Sequence, residues 1–459
     1  MSYPQVVKIY ATCQEASYET PWQADAPETA SGSGVIVGPG EILTGAHVVA
    51  GATFIQVRCM ENPDKMVATV KAICHDCDLA LLAVDESFTR GIKPATIGDL
   101  PSLRDKVSVI GFPIGGDEVS ITEGVVSRVE VQQYSHSQRF LVAATVDAAI
   151  NNGNSGGPVF KGRNIVGIAF QALEEAQNIG EIVPSSLITH FLNGVHQGRE
   201  TKIPGDGIVW MNLENPFFRK QLKMKKNQSG VYIVDLDWGS SGYDVLKKGD
   251  VLTSIDGNPI ANNGTILYRN RFRTQFEAFL CDHYVGDSVP VEILRDGKPL
   301  TFNIVLTEQI DLVRRSQYDS LPTYYIFGGL VFQPLTRNYL ETWSSWYKNA
   351  PKDFVSAYFQ GVVTEAQREL VVISRVLAHD VNIGYEGCFE ETVASVNGVI
   401  PRDMKHFVSM VEQAKSHLTI TTTEHGVILL DVVACRKAMP IILDRYRIDR
   451  IRSTDLDPA

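Results

Sequence analysis

The sequence predicts a mainly β protein with two smaller α+β modules at its C-terminal side. Three observations carry this. Short apolar runs punctuated by Gly, Pro and Asp fill the chain to about residue 195. One clear helical pattern closes that stretch. A weak repeat then follows, in which Ser254-Ile255-Asp256-Gly257 returns as Ser395-Val396-Asn397-Gly398, a shift of 395 − 254 = 141 residues. Regular short strands with turn signals read as a sandwich or barrel, and a repeated strand-turn-helix unit reads as a duplicated module. At about 150 residues per domain, 459 residues suit about three domains.

The first strands are expected at Val35-Ile36-Val37, Ile42-Leu43, Leu79-Ala80-Leu81-Leu82, Val107-Ser108-Val109-Ile110 and Ile165-Val166-Gly167-Ile168. In Ser185-Ser186-Leu187-Ile188-Thr189-His190-Phe191-Leu192 the apolar positions recur at three and four residues, with Ser185 or Ser186 as the expected cap. The polar stretch from Gln197 to Gly205 reads as a linker. In each repeat an apolar strand runs into Asp-Gly or Asn-Gly, a tight hairpin signal. A helical stretch follows, marked by Phe276, Phe279 and Leu280 in one copy and by Phe407, Met410 and Val411 in the other. A Gly-led apolar strand precedes each copy, Gly207-Ile208-Val209-Trp210 and Gly328-Gly329-Leu330-Val331-Phe332.

Composition excludes several classes. Lys+Arg minus Asp+Glu is 42 − 53 = −11, so no cationic nucleic-acid face is implied. The run Arg445, Arg447, Arg450 and Arg452 reads as a solvated face. No apolar stretch reaches the roughly 18–20 residues that span a bilayer. The N-terminus shows no secretory or transit pattern. The expected location is therefore the cytoplasm or nucleus, with signal-less export of a bacterial protein as the alternative. Seven scattered cysteines make a poor disulfide framework and suit a reducing compartment. Cys74-His75-Asp76-Cys77 has C-x-x-C spacing but no second pair to complete four metal ligands, so a strand end carrying small thiols is expected.

Chemistry concentrates in Gly153-Asn154-Ser155-Gly156-Gly157-Pro158. Glycines around a serine allow a tight turn whose N–H groups can face a developing oxyanion. A serine hydroxyl needs a base. His47 in Thr44-Gly45-Ala46-His47-Val48-Val49 can supply it, and Asp78, at the mouth of an apolar strand, can orient that base. Singly, each residue also fits a structural role. Together they run His, Asp, Ser with gaps of 31 and 77 residues, the chain order of chymotrypsin-type hydrolases. The Gly-x-Ser-x-Gly pattern also fits an α/β-hydrolase elbow. That elbow needs a helix after the serine, which Gly157-Pro158 opposes.

These motifs, with Gly32-Ser33-Gly34-Val35-Ile36, Asp147-Ala-Ala-Ile150 and Phe112-Pro-Ile-Gly-Gly116, resemble the HtrA/Deg serine proteases over nearly the whole chain. The resemblance looks closest to plant Deg proteases of the nuclear type, with two PDZ-like modules. Gly45 stands where relatives often carry Asn, which leaves the triad intact. The resemblance implies a chymotrypsin-like double β-barrel at 1–198 and PDZ-like domains at 205–312 and 320–450. It implies catalytic His47, Asp78 and Ser155, and an oxyanion hole from Gly153, Asn154 and Ser155. Ala149, Ile150 and Ala169 would line the specificity pocket. They are small or apolar with no carboxylate, so cleavage after small aliphatic residues is expected. Gly207, Ile208 and Val209, and Gly328, Gly329 and Leu330, are the candidate peptide-binding loops, receiving peptide C-termini as an added strand. Peptide binding is expected of the first module and assembly of the second.

The function expected is an ATP-independent serine endopeptidase acting on unfolded or damaged protein. The alternatives are a non-proteolytic chaperone or scaffold, and an esterase using the same apparatus. A homo-oligomer is expected, with no metal or cofactor, no nucleic acid and no membrane insertion.

Overall fold

A computed structural model of the chain describes residues 3–60, 62–113, 116, 118–151, 153–172 and 179–457. Ile114 and Gly115 of the Phe112–Gly116 stretch lie outside the described residues. The chain forms two compact units. The first runs to Cys13 and from Pro27 to Gln309. The second comprises Gln14–Ala26 and the chain from Ile310 onward.

The first unit begins with six strands, β1 (Val6–Cys13), β2 (Glu28–Gly38), β3 (Glu41–Thr44), β4 (Ala52–Cys59), β5 (Met66–Cys74) and β6 (Leu79–Val84). They close into a barrel in the order β1-β2-β3-β6-β5-β4, every pair antiparallel. Strand side chains alternate between two faces. Val7 and Ile9 on β1, Ile36 on β2, Ile42 on β3, Val57 on β4 and Leu82 on β6 therefore fill one interior. Their neighbours Val6, Val35, Leu43 and Leu81 join the larger core outside it.

A second barrel follows, from β7 (Thr96–Ile97), β8 (Lys106–Gly111), β9 (Ser120–Gln133), β10 (Phe140–Val146), β11 (Pro158–Lys161), β12 (Asn164–Ala172) and β13 (Gly180–Pro184). Its strand order is β11-β8-β9-β10-β13-β12, closed by β11 pairing β12, with β7 added parallel to β12. All five expected strand runs lie on these elements. The helix Ser185–His196 buries Leu187, Ile188 and Phe191, the face its periodicity marked. Its start differs from expectation. Pro184 is the N-cap, no side chain caps it, and both serine hydroxyls are buried without a partner among the described residues. Proline's fixed φ ends β13 and starts the helix without a hydroxyl.

The first small module belongs to the same unit. Strands Ile208–Met211, Val231–Leu236, Val251–Ile255, Ser288–Arg295 and Lys298–Val305 form its sheet in that order. Asp256 and Gly257 have φ of 49° and 71°, the two positive values of a type I′ hairpin. The expected helical stretch is a 3₁₀ helix, Phe276–Asp282. An unforeseen hairpin, Thr265–Tyr268 with Phe272–Gln275, precedes it and packs on β9, where Val131 N donates to Thr274 Oγ1 at 2.7 Å.

The second unit has a sheet of Tyr325–Phe327, Leu330–Pro334, Val371–Val376, Glu391–Val396, His417–Thr422 and Val427–Asp431 in that order. Asn397 and Gly398 repeat the positive φ pair at 49° and 79°, and the helix Met404–Gln413 buries Phe407 and Val411 on its core. Gln14–Ala26 is integral to this unit: Gln333 Nε2 donates to Tyr18 O at 3.1 Å and the Trp22 ring meets Tyr324 at 6.0 Å. In the late basic run, Arg450 pairs with Asp457 and Arg452 with Glu412. Among the described residues no helix is long and apolar enough to cross a membrane.

Candidate active site

Strand β3 ends at Thr44, and one short helical turn, Ala46–Val49, then carries His47. Gly45 precedes it in an extended conformation open to any residue. A Cβ there would lie 2.8 Å from His47 Cε1 and 3.6 Å from Gly156 Cα, so the imidazole and the serine turn crowd the same point. Asp78 is the last residue of the turn joining β5 and β6. It has φ of 54°, a left-handed conformation that Asp tolerates better than most side chains. This aims its carboxylate back across β6 at His47.

The contact is bidentate. Asp78 Oδ2 meets His47 Nδ1 at 2.6 Å, and Asp78 Oδ1 accepts from His47 N at 2.8 Å. Asp78 is fully buried while His47 is only partly covered. Burial alone would pull the imidazole toward neutrality, but the Asp78 charge and hydrogen bond outweigh it and hold the His47 pKa above its ordinary value. Burial likewise pushes the Asp78 carboxyl up, yet the facing imidazole brings it below the usual carboxylate range. His136 stands beside the pair, its ring edge-on to His47 at 6.2 Å and its Nε2 2.9 Å from His75 Nδ1.

Ser155 sits between β10 and β11 on a turn made possible by Gly153, with φ of 98°, and Gly156, with φ of 75°. The turn is pinned on several sides: Gly156 N donates to Ala169 O at 2.8 Å, Ala169 N to Gly157 O at 2.9 Å, and Ser33 N to Ser155 O at 2.9 Å. His47 Nε2 is buried with no hydrogen-bond partner among the described residues, so the serine hydroxyl is not yet bonded to it. Catalytic hydrogen bonds are often long before substrate binds.

The expected oxyanion trio divides. Asn154 N donates to Asn151 O at 2.9 Å, so this N–H is consumed inside the turn. Asn154 therefore leaves the expected set, and its side chain is buried. The N–H groups of Gly153 and Ser155 have no partner among the described residues. Of the pocket residues, Ile150 and Ala169 are buried and Ala149 is half-buried, its carbonyl accepting from Thr122 Oγ1 at 2.9 Å. A Cβ on Gly180 would lie 2.5 Å from Ile150 Cγ1, so the isoleucine fills the space beside β13.

The two expected peptide loops also part. Gly207 has φ of 63°, Ile208 is buried and Val209 is exposed on the sheet edge. Asp206 Oδ1 already accepts from Ile208 N at 3.0 Å. Gly328 and Gly329, with φ of 58° and 87°, instead form a buried two-residue hairpin turn between Phe327 and Leu330. Asn382 Nδ2 donates to Gly328 O at 2.7 Å and fills the turn. Gly328, Gly329 and Leu330, the second set of expected loop residues, thus lie in a buried turn whose carbonyls are already bonded within the unit. Cys74 and Cys77 are both buried in the core beneath Asp78. Burial and the neighbouring Cys74 push the Cys77 thiol well up.

Sequence reasoning missed Ser33 and His136 as parts of the site. Ser33 stood in the quoted Gly-Ser-Gly motif, but nothing local says what its hydroxyl meets.

A double barrel with a buried Asp78–His47 pair next to a glycine-rich serine turn is the architecture of a trypsin-like serine endopeptidase, and residues 32–168 match the trypsin-like peptidase domain family. Residues 220–306 and 313–455 match PDZ domain families. The chain is 37% identical over 99% of its length to "Putative protease Do-like 3, mitochondrial" of Arabidopsis thaliana, covering 80% of that protein. It is 36% identical over 98% of its length to "Protease Do-like 2, chloroplastic" of the same plant, covering 75% of it. A solved structure titled "HtrA-type protease AlgW with tripeptide" shares the fold, at TM-score 0.53 and 24% identity over 67% of this chain and 94% of that one. The chain belongs to the Do-like, HtrA-type serine protease family. The names of these relatives also overturn the expected cytoplasmic or nuclear location, since they are mitochondrial or chloroplastic and point to an organelle.

Proposed function

We propose that the protein is an ATP-independent organellar endopeptidase that cleaves unfolded or damaged polypeptides after small aliphatic residues. Ser155 Oγ attacks the scissile carbonyl as His47 Nε2 takes its proton. Asp78 holds the imidazole with Nδ1–H donated and stabilises the imidazolium. The negative oxygen of the tetrahedral intermediate is met by the N–H groups of Gly153 and Ser155. His47 then protonates the leaving amine, and water repeats the sequence on the acyl-enzyme. Ile150, flanked by Ala149 and Ala169, limits the pocket to short apolar side chains. The exposed edge strand beginning at Gly207 accepts part of the polypeptide as an added strand. A homo-oligomer completes this reading.

The observation that carries the mechanism is the 2.6 Å Asp78–His47 contact, with Nε2 left unpartnered beside the serine turn. The test is incubation of unfolded casein with the wild type and with Ser155→Ala, alongside labelling by a serine-directed phosphonate. Cleavage and labelling by the wild type alone are expected. Equal cleavage by both proteins would end the reading.

A further inference from the structure

Ser33 is fully buried on β2 in the first barrel, yet each of its polar atoms meets a different part of the active site. Its Oγ donates to Gly153 O at 2.7 Å and accepts from Phe112 N at 2.8 Å. Its N–H donates to Ser155 O at 2.9 Å. Its carbonyl accepts from Thr44 Oγ1 at 2.8 Å, three residues before His47. One residue thus joins the serine turn, the end of β8 and the strand leading to the base.

The fit around it is tight. A Cβ on Gly111 would lie 2.8 Å from Ser33 Oγ, one on Gly156 2.5 Å from Ser33 O, and one on Gly157 3.2 Å from Ser33 Cβ. Three glycines leave room for this serine, and any side chain on them would press on it.

We infer that Ser33 is the positioning residue of the oxyanion hole: its hydroxyl clamps the Gly153–Asn154 peptide, the unit lying between the two peptides that carry the Gly153 and Ser155 N–H groups, and so restrains the frame from which both project. Gly153 has no side chain to hold its own conformation, and its positive φ is one of many open to glycine. A buried carbonyl left unbonded costs free energy, so the clamped peptide resists turning while Ser33 Oγ is present. Ser33 touches neither substrate nor the reacting atoms and acts through Gly153. The inference rests on the proposed roles of Ser155 and Gly153.

The test compares wild type, Ser33→Ala and Ser155→Ala for kcat and KM on a peptide substrate, and for affinity toward a peptide boronate that mimics the tetrahedral intermediate. Ser33→Ala should lower kcat roughly 10- to 100-fold, less than or equal to the loss of an oxyanion donor itself. KM should stay within about twofold, and boronate affinity should fall in step with kcat. The pH midpoint of the acid limb should not move, since His47 and Asp78 are untouched. Wild-type kcat in a folded Ser33→Ala protein, with Ser155→Ala inactive, overturns the clamp and leaves the protease reading standing. Activity surviving in Ser155→Ala overturns the protease reading itself. If Ser33→Ala does not fold, Ser33→Cys is measured instead. It is slightly bulkier but retains a weak donor and acceptor in place of the hydroxyl, and it is judged by the same criteria, with unchanged kcat and boronate affinity again refuting the clamp.

Discussion

Replacing Asp78 by Asn alters the site at one atom pair. The backbone bond from His47 N to Oδ1, 2.8 Å, can persist to the amide oxygen. The other amide position then presents an N–H₂ to His47 Nδ1 across what is now a 2.6 Å contact. Two donors cannot share a hydrogen bond, so the imidazole must place its proton on Nε2, where it can no longer accept one from Ser155. The imidazolium also loses its counter-charge. Loss of the correct tautomer is worth about 10⁴-fold in kcat in triads of this geometry. The pH dependence gives a second reading. His47 must be neutral to act, and Asp78 raises its pKa above the ordinary 6.5, so activity should fall on acidification with a midpoint above that value. Without Asp78 only burial remains, which lowers the pKa, so the residual activity of Asp78→Asn should persist to lower pH. The assay is kcat/KM on a peptide substrate from pH 5 to about 9 for both proteins. A loss under tenfold, or an acid limb that does not move down, would refute the assigned pairing.

Ser155→Ala should abolish cleavage by about 10⁴-fold or more while leaving the thermal transition in place, measured by casein digestion and calorimetry. Ile150→Ala should admit larger apolar side chains before the cut, changing the kcat/KM ratio of phenylalanine to valine substrates by roughly tenfold. Gly156→Ala combines a φ of 75° with a Cβ only 2.5 Å from Ser33 O. Strain of this kind costs about 1–3 kcal/mol, read as a lower Tm in a melt followed by circular dichroism.

Much of the site was legible because its chemistry needs particular residue types in a particular chain order. His47 and Asp78 pair directly, and Ser155 stands on the glycine turn its motif implied. The hairpins at Asp256-Gly257 and Asn397-Gly398 were legible because two successive positive φ values favour those residues. Other features depend on partners remote in sequence. Gly328-Gly329 reads as a loop from the sequence alone because Asn382, which bonds to it, lies 54 residues away. Asn154 reads as part of the oxyanion set until its N–H is traced to Asn151. The hairpin Thr265–Gln275 carries only the short run Ile266-Leu267-Tyr268, and its packing on β9 comes from a partner remote in sequence. Ser33 Oγ and Gly153 O are separated by 120 residues, and no local pattern couples them.

The excursion of Gln14–Ala26 changes what deletion of the C-terminal module means. Stopping the chain at Gln309 would strand Tyr18 and Trp22 without the apolar neighbours they now have in the second unit. Such a fragment would carry newly bared aromatic surface, and any insolubility would say little about the protease. Cys13 lies opposite Glu28 in the β1–β2 register, so the two cut ends are already adjacent. A short Asn-Gly turn grafted between them, together with the C-terminal cut, gives the surgically clean version of that experiment.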